Sequence, residues 1–232
     1  ETSRGGTKPP PPRRCRSGSE IYLRDCSLRS GDSRAFADLG DPAYTPNHYY
    51  LYRPTFSGKA GDVFIGISPG TTADFHIIGS TNEGLPRLAK TDLSSLQGYG
   101  TTILARMLSG TLELQDVQSD NAASTIDANF EGALSGDVSI TMNRCLWNNG
   151  GLIDIYPCDG GYAPQASAYG VEISAENTVW RGSTSKEAWI NIDGAQTEAG
   201  VISLRHCTLI GNTSQYFLRE KTGDTLTIDG SI

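Results

Sequence analysis

The 232-residue chain is 37% hydrophobic and 19% charged, with 27 glycines and a formal net charge of −7. That composition suits one soluble β-rich domain with an ample core, and excludes a low-complexity chain. The acidic balance argues against nucleic acid as a partner, since it offers no net attraction to phosphate, and no run approaches the roughly 18 apolar residues of a membrane span.

Residues 1–18 have no apolar periodicity. Pro9, Pro10, Pro11 and Pro12 favour an extended polyproline segment, and Arg13, Arg14 and Arg16 make it locally basic. The stretch reads as a linker, or as an assembly arm whose arginines dock on an acidic neighbouring subunit. Residues 19–232 are expected to form one domain. The chain starts at Glu1 rather than Met and stops at Ile232 inside a strand pattern, so both ends are expected to be cuts in a longer chain.

From residue 19 onward one short pattern recurs. It is clearest in V-I-S-L-R-H-C-T-L-I-G-N (201–212), where Ile202 and Leu204 sit five and three residues before Cys207, and Leu209 sits two after it. In chain order the equivalent centres are Cys26, Pro54, Ser80, Val117, Cys145, Thr178, Cys207 and Ser231. All eight have an apolar residue at both upstream positions, and the centres are 28, 26, 37, 28, 33, 29 and 24 residues apart. Repeats of about 20–50 residues mark a solenoid or array. Alternation at the upstream positions is a strand period, not a helical one, and the copies end at Gly or Asn, which accept tight corners. Second short strands are expected at 35–39, 63–67, 126–130, 152–156, 189–193 and 217–220. Two or three short strands per copy, stacked on similar neighbours about 4.8 Å apart, describe a parallel β-helix.

Between these strands lie three stretches of interest. The region 35–52 is rich in rings, with Tyr44, His48, Tyr49, Tyr50 and Tyr52. Tyr49 fits the inward pattern, so Tyr44, Tyr50 and Tyr52 are expected to face elsewhere, as platforms for sugars or for another subunit, or packed beneath a loop. An elaborated loop is expected at 85–110, and a second excursion at 157–169 contains Cys158 and Tyr162. In solenoids such insertions gather on one face, which is often the binding face.

Five cysteines are present, and Cys26, Cys145 and Cys207 occupy repeat centres, where a small soft residue fills the core. Cys145 and Cys207 are two repeats apart, roughly 9–10 Å, beyond the roughly 7 Å limit for a disulfide. The reading is buried free thiols and assembly in a reducing compartment. No C-x-x-C or His-Cys cluster suggests zinc, and no metal or cofactor is expected. Gly66-Ile67-Ser68-Pro69-Gly70 matches the nucleophile-elbow pattern, but Pro69 lacks the N–H that an oxyanion hole requires.

The chemistry that could carry an activity lies just before the centres. The position two before holds Gln115, Asn143, Glu176 and Arg205, and the position one before holds Asp116, Arg144, Asn177 and His206. Neither position carries the apolar signal, so both are expected to face solvent or line a bend. The strip they form reads as a solvated face. It also reads as a saccharide groove in which Glu176 and Asp116 act as acid and base, at a spacing near the wider class of glycosidase carboxylates, about 6.5–9.5 Å. The glycan-binding candidates are Asn143, Arg144, Asn177, Arg205 and His206, together with Tyr44, Tyr50, Tyr52 and Tyr162.

The copies V-S-I-T-M-N-R-C-L-W-N-N, V-E-I-S-A-E-N-T-V-W-R-G and V-I-S-L-R-H-C-T-L-I-G-N resemble rungs of right-handed parallel β-helices of the pectate-lyase-like superfamily. Within it the chain looks most like the β-helical appendages of bacteriophage virions, over residues 19–232. The resemblance implies an all-β, single-stranded right-handed parallel β-helix of about eight rungs. It also implies a tailspike, fibre or capsid decoration that forms homotrimers, contacts other virion proteins and recognises host surface polysaccharide. Such a protein would be assembled in the bacterial cytoplasm and displayed on the virion surface. The calcium-binding Asp cluster and the Arg or Lys base of pectate lyases have no counterpart here. Two alternatives stand beside this expectation: a polysaccharide lyase or glycoside hydrolase using the carboxylates of the strip, and an extracellular bacterial adhesin, which reduced thiols disfavour.

Overall fold

The computed structural model describes residues 20–29, 34–38, 47–57, 63–67, 72–79, 101–105, 109–119, 124–129, 136–148, 152–156, 170–181, 188–192, 200–211, 216–219 and 225–232. Among them there is no helix, and every strand pairing is parallel. The strands are numbered β1 to β21 along the chain. One sheet has eight strands in the order β1 (Glu20–Arg24), β4 (Asn47–Tyr52), β7 (Thr72–Ile78), β9 (Ser109–Gln115), β12 (Val138–Asn143), β15 (Val171–Glu176), β18 (Val201–Arg205) and β21 (Thr225–Asp229). A short strand follows the bend after most of these. β2 (Ser27–Arg29) pairs with β5 (Thr55–Ser57), and β10 (Gln118–Ser119), β13 (Leu146–Asn148), β16 (Val179–Arg181) and β19 (Thr208–Ile210) form a four-stranded sheet. The remaining strands form a seven-stranded sheet in the order β20 (Tyr216–Arg219), β17 (Ala188–Ile192), β14 (Leu152–Tyr156), β11 (Ser124–Asn129), β8 (Thr101–Ala105), β6 (Val63–Ile67) and β3 (Arg34–Asp38).

The register of the large sheet reproduces the sequence repeat. Ile21, Tyr49, Phe75, Leu112, Ile140, Ile173, Ile202 and Leu226 are successive partners across it. So are Leu23, Leu51, Ile77, Leu114, Met142, Ala175, Leu204 and Ile228. From β4 to β18 these two inner columns are buried, with Trp147 and Trp180 beside them. Their regular spacing comes from the chain itself: with a side-chain period of two, a slip of one residue would turn each apolar pair to solvent. Trp180 meets Phe217 edge-on at 6.0 Å between ring centroids. The indole N–H groups of Trp147 and Trp180 are buried without a hydrogen-bond partner, a cost the surrounding apolar contacts must offset.

The repeat centres make a third inner column, and their chemistry is more specific than small and soft. Each Cys, Thr or Ser there turns its side chain back to the carbonyl two residues earlier: Cys26 to Arg24, Cys145 to Asn143, Thr178 to Glu176, Cys207 to Arg205 and Ser231 to Asp229. Where the next centre carries a hydroxyl, that oxygen also accepts the N–H of the centre before it. Cys145 N–H donates to Thr178 Oγ1 at 3.3 Å, and Cys207 N–H to Ser231 Oγ at 2.9 Å. The hydroxyls thus supply acceptors for the Cys145 and Cys207 N–H groups, while the Asn143, Glu176, Arg205 and Asp229 carbonyls also accept ladder N–H groups.

Two expectations change. The stretch 85–110 is not all loop, because Thr101–Ala105 is a strand of the seven-stranded sheet and 109–110 already belong to β9. Its run of Thr, Thr, Ile and Leu is strand chemistry. Cys145 and Cys207 are buried free thiols, but Cys26 is only half-buried, since β1 lies at the edge of its sheet. Residues 1–18, Cys158 and the centre at Ser80 lie outside the described residues.

Candidate functional site

The position one before each centre is a column of left-handed backbone. Asp25, Arg53, Asp116, Arg144, Asn177 and His206 have φ between 48° and 53°, and Gly230 has φ 56°. Asn, Asp, His and Gly are the residues that enter this region most readily. The column is therefore polar for a conformational reason. Its N–H groups carry the ladder round the bend: Asp116 N–H donates to the Asn143 carbonyl, Arg144 N–H to Glu176, Asn177 N–H to Arg205 and His206 N–H to Asp229. Gly79 is the column's exception, without a positive φ.

An arginine in the left-handed region is disfavoured by about 1–2 kcal/mol, and both arginines of this column have a compensating partner. Arg144 grips Asp116 with two parallel bonds, Nε to Oδ1 at 2.7 Å and Nη2 to Oδ2 at 2.8 Å. Arg53 grips Asp25 in the same way, at 2.6 Å on both oxygens. Bidentate, charge-assisted pairs of this kind are the strong ones.

The sequence strip is brought together by the sheet. Gln115, Asn143, Glu176 and Arg205 are successive register partners. Its charges are spent on one another. Asp116 is buried rather than solvent-facing, with its oxygens held by Arg144 and by Gln115 Nε2 at 3.3 Å. Arg144 also reaches Asn143 Oδ1 at 3.4 Å. Arg205 donates to Glu176 Oε2 at 2.6 Å, and this bond holds the Glu176 carboxyl below the ordinary carboxylate range. Glu176 is thus an anion at neutral pH and does not hold the proton that a general acid must supply. Asn177 and His206 are exposed on the same edge.

A second cluster lies on the outer face of β1, β4 and β7. Tyr50 and Tyr52 do turn outward, and Tyr22 joins them. The Tyr22 and Tyr50 rings stack at 4.8 Å and 8°, and Tyr50 stacks on His76 at 4.6 Å and 5°. Tyr52 lies parallel to both tyrosines, 6.4 Å from Tyr50 and 6.5 Å from Tyr22, and the Arg24 guanidinium sits 5.4 Å over its ring. Carboxylates border the rings. Tyr22 Oη donates to Glu20 Oε2 at 2.9 Å, which raises the Tyr22 pKa. His76 Nδ1 is 2.5 Å from Glu113 Oε2, and His48 Nδ1 is 2.9 Å from Asp74 Oδ2. Sequence reasoning missed Tyr22, although it stands four residues before Cys26 as Tyr50 stands four before Pro54. Tyr44, Tyr162, Arg13, Arg14 and Arg16 lie outside the described residues.

Two of the described thiols, Cys145 and Cys207, are buried. Burial pushes the Cys145 pKa up to about 12 and raises that of Cys207. Among the described residues no three His, Cys, Asp or Glu side chains group so as to hold a metal ion, and no helix is long and apolar enough to cross a membrane. Comparison with known proteins finds no matching family model, no matching curated protein and no matching solved structure.

Proposed function

We propose that the chain is a single-stranded right-handed parallel β-helix serving as a structural appendage on a virion surface, as a tailspike, fibre or capsid decoration. It works as a homo-oligomer, most simply a trimer, and holds host surface polysaccharide without cleaving it. The observation that carries this reading is the in-register pairing of eight equivalent strands, with both carboxylates of the polar strip, buried Asp116 and half-buried Glu176, already paired with arginines. Stacked repeats make a stiff, extended scaffold because each repeat buries its apolar face on its neighbours. An acid–base pair would need one carboxyl poised to give up a proton, and Glu176 is held in the opposite state. The free, unbridged Cys26, Cys145 and Cys207 agree with folding in a reducing cytoplasm before display.

The test is mass in solution together with reducing-sugar release from bacterial surface polysaccharides. The expected result is three times the 24.8 kDa chain mass and no release, with antibody to the chain decorating particles in electron micrographs. A monomer that depolymerises a glycan, and loses that activity on Glu176→Gln, would establish a lyase or hydrolase instead.

A further inference from the structure

We infer that the polar side chains joining neighbouring repeats act as a register code, holding each strand against a two-residue slip that the apolar core alone permits. The inference is independent of the proposed function.

The ambiguity comes from the side-chain period. A slip of one residue turns the apolar pair outward, but a slip of two keeps every inward residue inward. The seam between β9 and β12 shows the problem. In register, Ile140 meets Leu112 and Met142 meets Leu114. Slid by two residues, Val138 would meet Leu112 and Ile140 would meet Leu114, again apolar against apolar. Val138, Ile140 and Met142 are all buried, so burial does not choose between the two alignments.

The polar contacts do choose. Eight strands make seven seams in the large sheet, and each seam carries a side-chain bond from one repeat to the next. The Asp25–Arg53 and Asp116–Arg144 grips close β1–β4 and β9–β12. The His48–Asp74 and His76–Glu113 pairs close β4–β7 and β7–β9. Arg205 on Glu176 closes β15–β18. The hydroxyls of Thr178 and Ser231 close β12–β15 and β18–β21, each accepting the N–H of the preceding cysteine centre. Different chemistries thus serve equivalent seams, and what they share is position. A two-residue slip moves one strand about 6.6 Å along the other, which takes every one of these donors out of reach of its acceptor. At β9–β12 it carries Arg144 past Asp116 and leaves a buried carboxylate alone, the costly outcome for a broken ion pair. Fixing register is also the best-attested role of such buried pairs.

The test traps the register of that seam with engineered disulfides in the full chain. Thr111→Cys with Ser139→Cys joins native register partners, about 4.8 Å apart. Thr111→Cys with Asp137→Cys joins residues that become partners only after the slip, and that in register lie on a diagonal of about 7–8 Å, beyond the roughly 7 Å reach of a disulfide. Each probe is placed in the wild-type chain and in an Asp116→Asn, Arg144→Asn chain, because asparagine already occupies the same left-handed position at Asn177. The chains are unfolded in urea, refolded and mildly oxidised, and each crosslink is quantified by peptide mass spectrometry. In the wild-type chain the native probe should close and the slipped probe should not. Without the grip, the slipped probe should close at least tenfold more often, and the native probe less. Equal slipped crosslinking in both chains, with the native probe closing fully, refutes the inference. Closure of the slipped probe in the wild-type chain refutes it as well. If the Asn variant does not refold, Arg144→Lys takes its place, since lysine keeps the charge without the two-point grip. At least threefold more slipped product there supports the inference, and no increase overturns it.

Discussion

Thr178 offers a direct measurement of what holds each bend together. It is fully buried, its hydroxyl accepts the Cys145 N–H at 3.3 Å, and it donates to the Glu176 carbonyl at 3.1 Å. Thr178→Val keeps the shape and removes both bonds. The Glu176 carbonyl still accepts the Arg144 N–H at 3.0 Å, so the loss falls on Cys145, whose N–H is left facing a methyl group. A buried donor stripped of its acceptor costs about 1–3 kcal/mol. Thr178→Ser keeps the hydroxyl and deletes one methyl group, worth about 0.8 kcal/mol by transfer. The valine variant should therefore unfold at a lower urea concentration than the serine variant. Fluorescence of Trp147 and Trp180, both buried in the core, reports the transition, and similar slopes would show that the midpoints compare like with like. If packing rather than hydrogen bonding governs the bend, the order reverses. A valine variant as stable as the wild type would refute the reasoning.

Three further outcomes follow from burial and backbone geometry. Leu204, buried between its register partners Ala175 and Ile228, should lose about 2–5 kcal/mol on Leu204→Ala, measured by the same urea unfolding. A Cβ added at Gly79 would lie 2.3 Å from the Asp116 carbonyl oxygen. Gly79→Ala should accordingly destabilise by about 1–3 kcal/mol, as overpacking does, and a neutral result in thermal melts would argue against that close approach. Mass spectrometry after brief exposure to a thiol reagent should find Cys145 and Cys207 unmodified in the native protein and Cys26 modified, because burial suppresses the thiolate. Labelling of Cys145 as fast as after unfolding would contradict its place in the core.

The inner columns were legible because one physical demand, burial at every second residue, fixes residue type at positions five and three before each centre. Nothing else competes there. The polar strip was harder to read because two demands produce the same letters. Asp116, Arg144, Asn177 and His206 look like a site, yet the same offset also holds Asp25, Arg53, Gly79 and Gly230. Glycine shares no side-chain chemistry with aspartate or histidine. What most of these positions have in common is a left-handed backbone, and the glycines were the available signal. Thr101–Ala105 escaped notice for a different reason: it begins 21 residues after its centre at Ser80, whereas the other strands of its sheet begin 7 to 10 residues after theirs.

This changes where a function should be sought on the molecule. In the corner column, polarity follows from φ, and its arginines are answered by aspartates one repeat earlier. The outward positions of the large sheet carry no such demand, since an extended strand accepts almost any side chain toward solvent. Four residues before the centres, the partners run Tyr22, Tyr50, His76, Glu113, Thr141, Ser174, Ser203 and Thr227. The later repeats fill this column with small hydroxyl residues, which an outward strand position tolerates at little cost. The first three place rings there, each stacked on the next at 4.8 and 4.6 Å, with Tyr22 exposed and Tyr50 and His76 half-buried. Neither the core nor the corner calls for them, but rings on directly paired strands stabilise the sheet by stacking on one another, so the column has a structural reason of its own.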